Sequence, residues 1–356
     1  MKTLRCVSLL TVLISGAVPA HAQWLNHPTV GIPRTADGKP DLNAPSPRLP
    51  DGTPDLSGFW NQPLELAYGV DIASDLHPED VKPAASKLYE QRFNEFGKDD
   101  PGNVGCLPSG TRHILGGLTA SRVRIVQTPL LIAMLFEDLA HRQIHLDGRK
   151  LPGDPNPSFM GYSVGHWEGD TLVVETIGFN GRTWLDLGGH PTGEQLKTIE
   201  RFRRVSFGRI DREITLIDEE FYKKPIVVQA SMNFAADTDM LEYVCNENPR
   251  SRPHLVGRTE QERKVVVRPD VLRRYVGTYD TAGAGRNLRQ FTVSMDNGQL
   301  FLALNGKGRV PMVPLSDTDF SAHFPGTVQF VSDASGKVTH LLSISAEGTS
   351  RFDRRP

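Results

Sequence analysis

The densest run of reactive side chains lies between Tyr162 and Asp186, a stretch that includes Ser163, His166, Glu168, Glu175, Asn180, Arg182 and Trp184, with His190 just beyond it. Gly169-Asp170 reads as the two-residue turn of a β-hairpin. A type II′ turn there sets Glu168 opposite Thr171 and Val164 opposite Glu175. Tyr162, Val164 and His166 then share a face with Val173, Glu175 and Ile177, and His166 and Glu175 become diagonal neighbours. A carboxylate beside an imidazole orients it and stabilises its charged form, which is the arrangement that general acid–base catalysis uses. On this reading His166 is the acid or base, Glu175 or Asp186 its orienting partner, and Tyr162 a proton donor. A three-residue turn would instead bring Glu175 beside Ser163 and Gly165.

Beyond the hairpin, Asn180, Arg182, Trp184, Asp186 and His190 fall in a glycine-punctuated loop, the kind of segment that carries polar groups to the mouth of a barrel. They are candidate substrate contacts, with Trp184 as a stacking surface. The loop from Cys106 to His113 is similar and offers Arg112 and His113. Each residue also has a plainer role: Asn180-Gly181 as a turn, Trp184 as a core plug, and Arg182 with Asp186 as a local ion pair.

Two other chemistries are weaker. Gly161-Tyr162-Ser163-Val164-Gly165 fits Gly-x-Ser-x-Gly, and Asp186 and His190 follow in the order found in α/β-hydrolases. That motif needs a strand, a sharp turn and a helix, whereas Ser163 is followed by an alternating strand, so a serine hydrolase is the second alternative. His141 and His145, four positions apart on a strand, are separated by about 13 Å at roughly 3.3 Å per residue. They are poorly set to share an ion, and neither a metal nor a cofactor is expected.

The elements around these residues follow from patterning. Lys2 and Arg5 precede an apolar run from Val7 to Val18 and then Ala20-His21-Ala22, which reads as a secretory leader over residues 1–22 and implies a periplasmic or secreted protein. Without that leader the formal charge moves from −2 to −4, with 38 bases against 42 acids. Such a balance gives no basic face for nucleic acid, and no later stretch is apolar enough for a membrane span. A small-molecule partner fits better. Cys106 and Cys245, the cysteines left outside the leader, are expected to form a disulfide in an oxidising compartment.

Residues 23–55 are rich in Pro and Gly and read as an extended arm. A helix is expected over Asp80 to Phe96. From Val123 onward short period-two runs recur, separated by turns such as Asp147-Gly148 and Phe207-Gly208, a spacing that favours a barrel or sandwich. The expected strands include Arg209 to Ile217, Ile226 to Phe234 and Met240 to Val244. Glu200, Arg201, Arg203, Arg204, Asp211, Arg212 and Glu213 charge both faces of two adjacent strands, which calls for cross-strand salt bridges or a polar cavity. A second unit is expected over 266–356, opened by Pro269-Asp270 and containing a hairpin at Asp296-Asn297-Gly298.

Pro54-Asp55-Leu56-Ser57-Gly58-Phe59-Trp60 together with Trp167-Glu168-Gly169-Asp170-Thr171-Leu172-Val173-Val174-Glu175-Thr176 resembles an exported, largely uncharacterised bacterial family. Gly58-Phe59-Trp60 is also similar to the Gly-x-Trp opening of lipocalins. The tail at Leu272-Arg273-Arg274-Tyr275-Val276-Gly277-Thr278-Tyr279 resembles the small β accessory domain that trails serine β-lactamase-like hydrolases, and such a resemblance does not bring catalysis with it. The combined expectation is a mainly β protein, with a lipocalin-like antiparallel β-barrel over 56–265 followed by a small C-terminal β domain. Its expected activity is that of a metal-free lyase, hydratase or isomerase acting on a small hydrophobic or aromatic hydroxylated metabolite. A non-catalytic carrier or sensor is the alternative.

Overall fold

The computed structural model describes residues 27–95, 97–117, 122–247, 265–281, 290–322, 326–345 and 348–356. The expected leader and Phe96 lie outside them. Among the described residues, β1 (Gly58–Asn61), β2 (Arg122–Gln127), β3 (Leu131–Phe136), β4 (His141–His145), β5 (Tyr162–Glu168), β6 (Thr171–Ile177), β7 (Lys197–Ser206), β8 (Arg209–Ile217) and β9 (Ile226–Phe234) form one closed barrel. The pairs Trp60↔Phe234 and Asn61↔Asn233 close it. Period-two patterning produces these strands. In β8, Ile210, Arg212, Ile214 and Leu216 are buried, while the residues between them are wholly or partly exposed. The interior is filled by side chains such as Trp60, Val123, Met134, Phe202 and Val228.

Neighbouring strands are antiparallel except β4 and β5, which run parallel through only two pairs, Ile144↔Ser163 and His145↔Val164. A parallel pair requires a crossover, and residues 146–161 carry the chain back along the barrel to supply it. Tight turns at 128–130, 169–170 and 207–208 gather at one end. The long connections 62–121, 178–196 and 218–225 gather at the other, and every helix among the described residues of this half of the chain lies in the first of them.

That connection holds α1 (Leu66–Val70), α2 (Pro83–Asn94) and α3 (Thr111–Leu115). The expected helix starts later than Asp80 because Pro83 occupies the first turn, where a missing N–H costs nothing. A separate 3-10 turn spans Pro78–Asp80. All five residues of α3 are buried, so this short helix plugs the barrel end. Gly116 ends it at φ 87°, and a Cβ there would lie 2.6 Å from the Gln62 carbonyl oxygen, so only glycine fits.

The two-faced charge of β7 and β8 resolves into two sets. Outside, Arg201 lies opposite Glu213 and Arg203 opposite Asp211, and Arg201 also pairs with Glu168 at 2.8 Å. Inside, Glu200 is shared by two guanidinium groups, with Arg142 at 2.5 Å and Arg212 at 3.3 Å. Arg142 also donates to Ser163 at 3.0 Å and Thr176 at 2.8 Å. Arg212 donates to Gln62 at 2.8 Å and to the Ile114 carbonyl oxygen, capping the C-terminus of α3. Burial pushes Arg212 down to about 10 against the pull of Glu200.

The segment expected as a strand at Met240 to Val244 is irregular. It touches the β3–β4 turn through two isolated hydrogen bonds, from the Tyr243 N–H to the Glu137 carbonyl oxygen at 2.7 Å and from the Leu241 N–H to the Glu137 carboxylate at 3.0 Å. It delivers Cys245 to Cys106, and the two form a disulfide with a Cα–Cα separation of 5.6 Å.

After α4 (Pro269–Tyr275), a second closed barrel follows: β10 (Gly277–Asp280), β11 (Gln290–Asp296), β12 (Gln299–Leu304), β13 (Lys307–Pro314), β14 (Asp319–Ser321), β15 (Thr327–Ser332), β16 (Val338–Ser345) and β17 (Gly348–Arg354). The Asn297-Gly298 turn has φ values of 46° and 80°, as a type I′ hairpin requires. Ala67, Val70 and Phe93, from α1 and α2, pack into the core of this barrel. Lys307 reaches across to the Tyr68 hydroxyl at 3.1 Å and to Glu65 at 3.3 Å. No helix among the described residues is long and apolar enough to cross a membrane.

Two stability measurements test this account. Glu200→Gln leaves two buried cations uncompensated and should cost about 3–5 kcal/mol in urea unfolding, far more than Glu213→Gln on the outer face. Opening the 139-residue separation between the bridged cysteines with a Cys106→Ser, Cys245→Ser double variant should cost about 2–5 kcal/mol in the same assay.

Candidate functional site

At the elaborated barrel end a cluster of buried titratable groups centres on His190. Trp184 pairs with Pro191 in a short bridge, and the Leu185 N–H donates to the His190 carbonyl oxygen at 2.9 Å, so residues 184–191 form a tight loop. Asp186 organises it. Its Oδ1 accepts from the N–H groups of Gly189 at 2.8 Å and His190 at 3.1 Å. Its Oδ2 accepts from the Ile72 N–H at 2.8 Å and faces His190 Nδ1 at 2.5 Å. Gly188 lets this loop press on the helices, since a Cβ there would sit 2.2 Å from the Val70 carbonyl oxygen.

The helices supply the other walls. Asp71, just after α1, approaches His190 Nε2 at 3.7 Å. Tyr89 of α2 stacks on the imidazole with ring centroids 3.9 Å apart. Its hydroxyl is buried without a hydrogen-bond partner among the described residues. Arg92, one turn further along α2, donates to the Gly189 carbonyl oxygen at 2.8 Å and lies 4.8 Å over the Trp184 ring. Tyr222 lies 6.4 Å from the imidazole, with its hydroxyl donating to the Pro191 carbonyl oxygen at 3.1 Å.

Burial governs the electrostatics. It would push His190 down on its own, but Asp186 and Asp71 outweigh it and hold the imidazole above its usual 6.5. Desolvation, reinforced by the same two carboxylates, drives the Tyr89 hydroxyl well above 10, so it stays a neutral phenol, and Tyr222 behaves alike. With His190 protonated, two carboxylates face one imidazolium and the Arg92 guanidinium, and the cluster is balanced.

Ligand atoms of Asp71, Asp186 and His190 lie within 4.8 Å of one another, a spacing that could hold a cation. Asp186, however, already has four hydrogen-bonding partners, about as many as its lone pairs allow. Beside it stand only Asp71 and His190 Nε2, fewer than the three protein ligands of a catalytic zinc site. The arrangement suits an oriented imidazole better: Asp186 fixes Nδ1–H, and Nε2 is directed toward Asp71.

Of the residues singled out from sequence, Asp186, His190 and Trp184 come together here. The hairpin register is the one expected for a two-residue turn, with Val164 opposite Glu175 and Glu168 opposite Thr171. The His166–Glu175 pair does not form. His166 is exposed and lies 3.3 Å from Glu168, while Glu175 pairs with Lys197, because this face points away from the barrel interior. Tyr162 is on the same outer face and accepts from Arg149 at 2.9 Å. Asn180 caps its own turn, accepting from the Arg182 N–H at 3.1 Å, and Arg182 lies 5.8 Å over the Phe159 ring.

Arg112 and His113 are buried in α3, where Arg112 makes a two-pronged pair with Asp100 at 2.7 and 2.8 Å and His113 meets Asp138 at 2.7 Å. Ser163 is buried against Arg142 and Thr176, so its hydroxyl partners are a guanidinium and another hydroxyl. Sequence reasoning did not single out Asp71, Tyr89, Arg92 or Tyr222. For Tyr89 and Arg92, three positions apart on an expected helix, a shared polar-aromatic face was the available signal.

No protein-family model matches the chain, and a search of curated proteins finds no match.

The raised His190 value carries a sign. Folding stabilises the charged imidazole, so this contribution is complete below about 6.5 and is lost as pH rises through the elevated folded value. Thermal melts from pH 5 to 9 should show that alkaline loss in the wild type and a flatter profile in His190→Asn. Parallel slopes would remove the charge assignment.

Proposed function

We propose that the chain is an exported enzyme of the lyase, hydratase or isomerase class, acting by proton transfer on a small hydrophobic or aromatic hydroxylated metabolite. The observation that carries this reading is the buried line Asp186–His190–Asp71, in which one carboxylate orients the imidazole and a second faces its other nitrogen. Export is supported by the basic-apolar leader pattern and is compatible with the disulfide.

In a dehydration, the Asp71 carboxylate takes a proton from carbon while the His190 imidazolium gives one to the departing hydroxyl. A C–H and a C–O bond break, a C=C bond forms, and water leaves. The proton then passes from Asp71 to Nε2 across the 3.7 Å gap, restoring both groups. Asp186 keeps Nδ1–H fixed throughout, and the unpartnered Tyr89 hydroxyl is a donor for a substrate oxygen. Since the cluster is buried, the substrate enters by parting the 184–191 loop from α1 and α2.

The test incubates wild type and His190→Ala with a panel of hydroxylated aromatic and terpenoid metabolites and follows gain or loss of water, or isomer formation, by mass spectrometry. A converted panel member should be turned over about 10²–10⁴-fold more slowly by His190→Ala. Equal rates in the two proteins, or no conversion of any member, would sink the proposal.

A further inference from the structure

A groove of about 530 Å³ opens where the parallel β4–β5 ladder ends, between the start of β4 and residues 158–161. That volume is in the range that encloses a small organic molecule. Leu139, Phe159 and Met160 form apolar walls, and Arg142 and Ser163 form the floor, 2% and 1% exposed. One wall is also strained. Leu139 has φ 67° and is 62% exposed, a branched apolar side chain held out over the groove in a backbone region that favours glycine. Its turn is fixed by Asp138, which pairs with buried His113 at 2.7 Å and accepts from the Ala140 N–H at 3.3 Å. Such strain concentrates at ligand clamps.

Charge then decides the ligand class. Among the described residues the lining contains no Asp or Glu, and Arg142 is its one permanent cation. Arg142 is already engaged by Glu200, Ser163 and Thr176, so an anion entering the groove would lose its hydration without gaining a free counter-charge. Gln143, His145 and Tyr162 provide neutral hydrogen-bonding groups, and the His145 ring lies 5.2 Å from that of Tyr162. Burial and the nearby Arg149 push His145 below its usual value, so it stays an uncharged donor and acceptor.

We propose that this groove binds a neutral aromatic alcohol, its ring between Phe159, Met160 and Leu139 and its hydroxyl on the side chains of Gln143 and His145. The site is distinct from the His190 cluster, and the inference does not depend on catalysis there.

Titration calorimetry of the disulfide-bonded chain at pH 7 with 2-naphthol, naphthalene and 2-naphthoate tests it. One 2-naphthol should bind per chain, with naphthalene and 2-naphthoate each at least about tenfold weaker. Ser158→Trp, whose indole fills the groove, should weaken 2-naphthol about tenfold or more while keeping the wild-type melting transition. Gln143→Trp replaces it if that variant does not fold. Absence of 2-naphthol binding, binding of 2-naphthoate as tight as that of 2-naphthol, or a folded groove-filling variant with unchanged affinity would each overturn the proposal.

Discussion

Glu200 lies inside the first barrel with Arg142 on one side and Arg212 on the other, and the geometry of the barrel end that α3 closes follows from that shared carboxylate. Arg142 enters from β4 at the point where the parallel ladder fails, and its contacts with Ser163 and Thr176 tie β4 to β5 and β6 where backbone pairing is thin. Arg212 reaches the end of α3 and fixes the helix that closes the barrel. The two guanidiniums are tolerable inside because one carboxylate serves both and hydroxyl, amide and carbonyl groups take several of the remaining donors. A fully apolar interior would pack as well but would leave α3 without its cap.

Parts of this could be read from the chain. Period-two patterning located β8 at Arg209–Ile217 and β9 at Ile226–Phe234 with the observed bounds, and the Gly169-Asp170 turn set the register of β5 against β6. The inward face was harder to identify. Ser163 and Thr176 look like solvent-facing residues until Arg142 is known to need them, and Arg142 is inside only because Glu200 is there. That dependence spans residues far apart in sequence, which local pattern cannot express. β1 is four residues long, too short for periodicity, and was visible only as Gly58-Phe59-Trp60.

The site was legible in pieces. Asp186 and His190 were both singled out, and together only as partners of Ser163, because a loop gives no period that sets one against the other. Gly188 and the Asp186 hydrogen bonds create that pairing. Asp71 and Tyr89 arrive from a separate connection, and their approach to His190 is a product of packing.

The packing of α1 and α2 into the second barrel has a further consequence. Ala67, Val70 and Phe93 belong to the second barrel's apolar core, while Asp71, Tyr89 and Arg92 on or beside the same short helices face the imidazole. The two helices are therefore common property of both barrels, and the second is no detachable appendage. Its interior is the anvil on which the walls of the His190 cluster rest, since Val70 in that core adjoins Asp71 in the chain and Tyr89 packs against both the core and the imidazole.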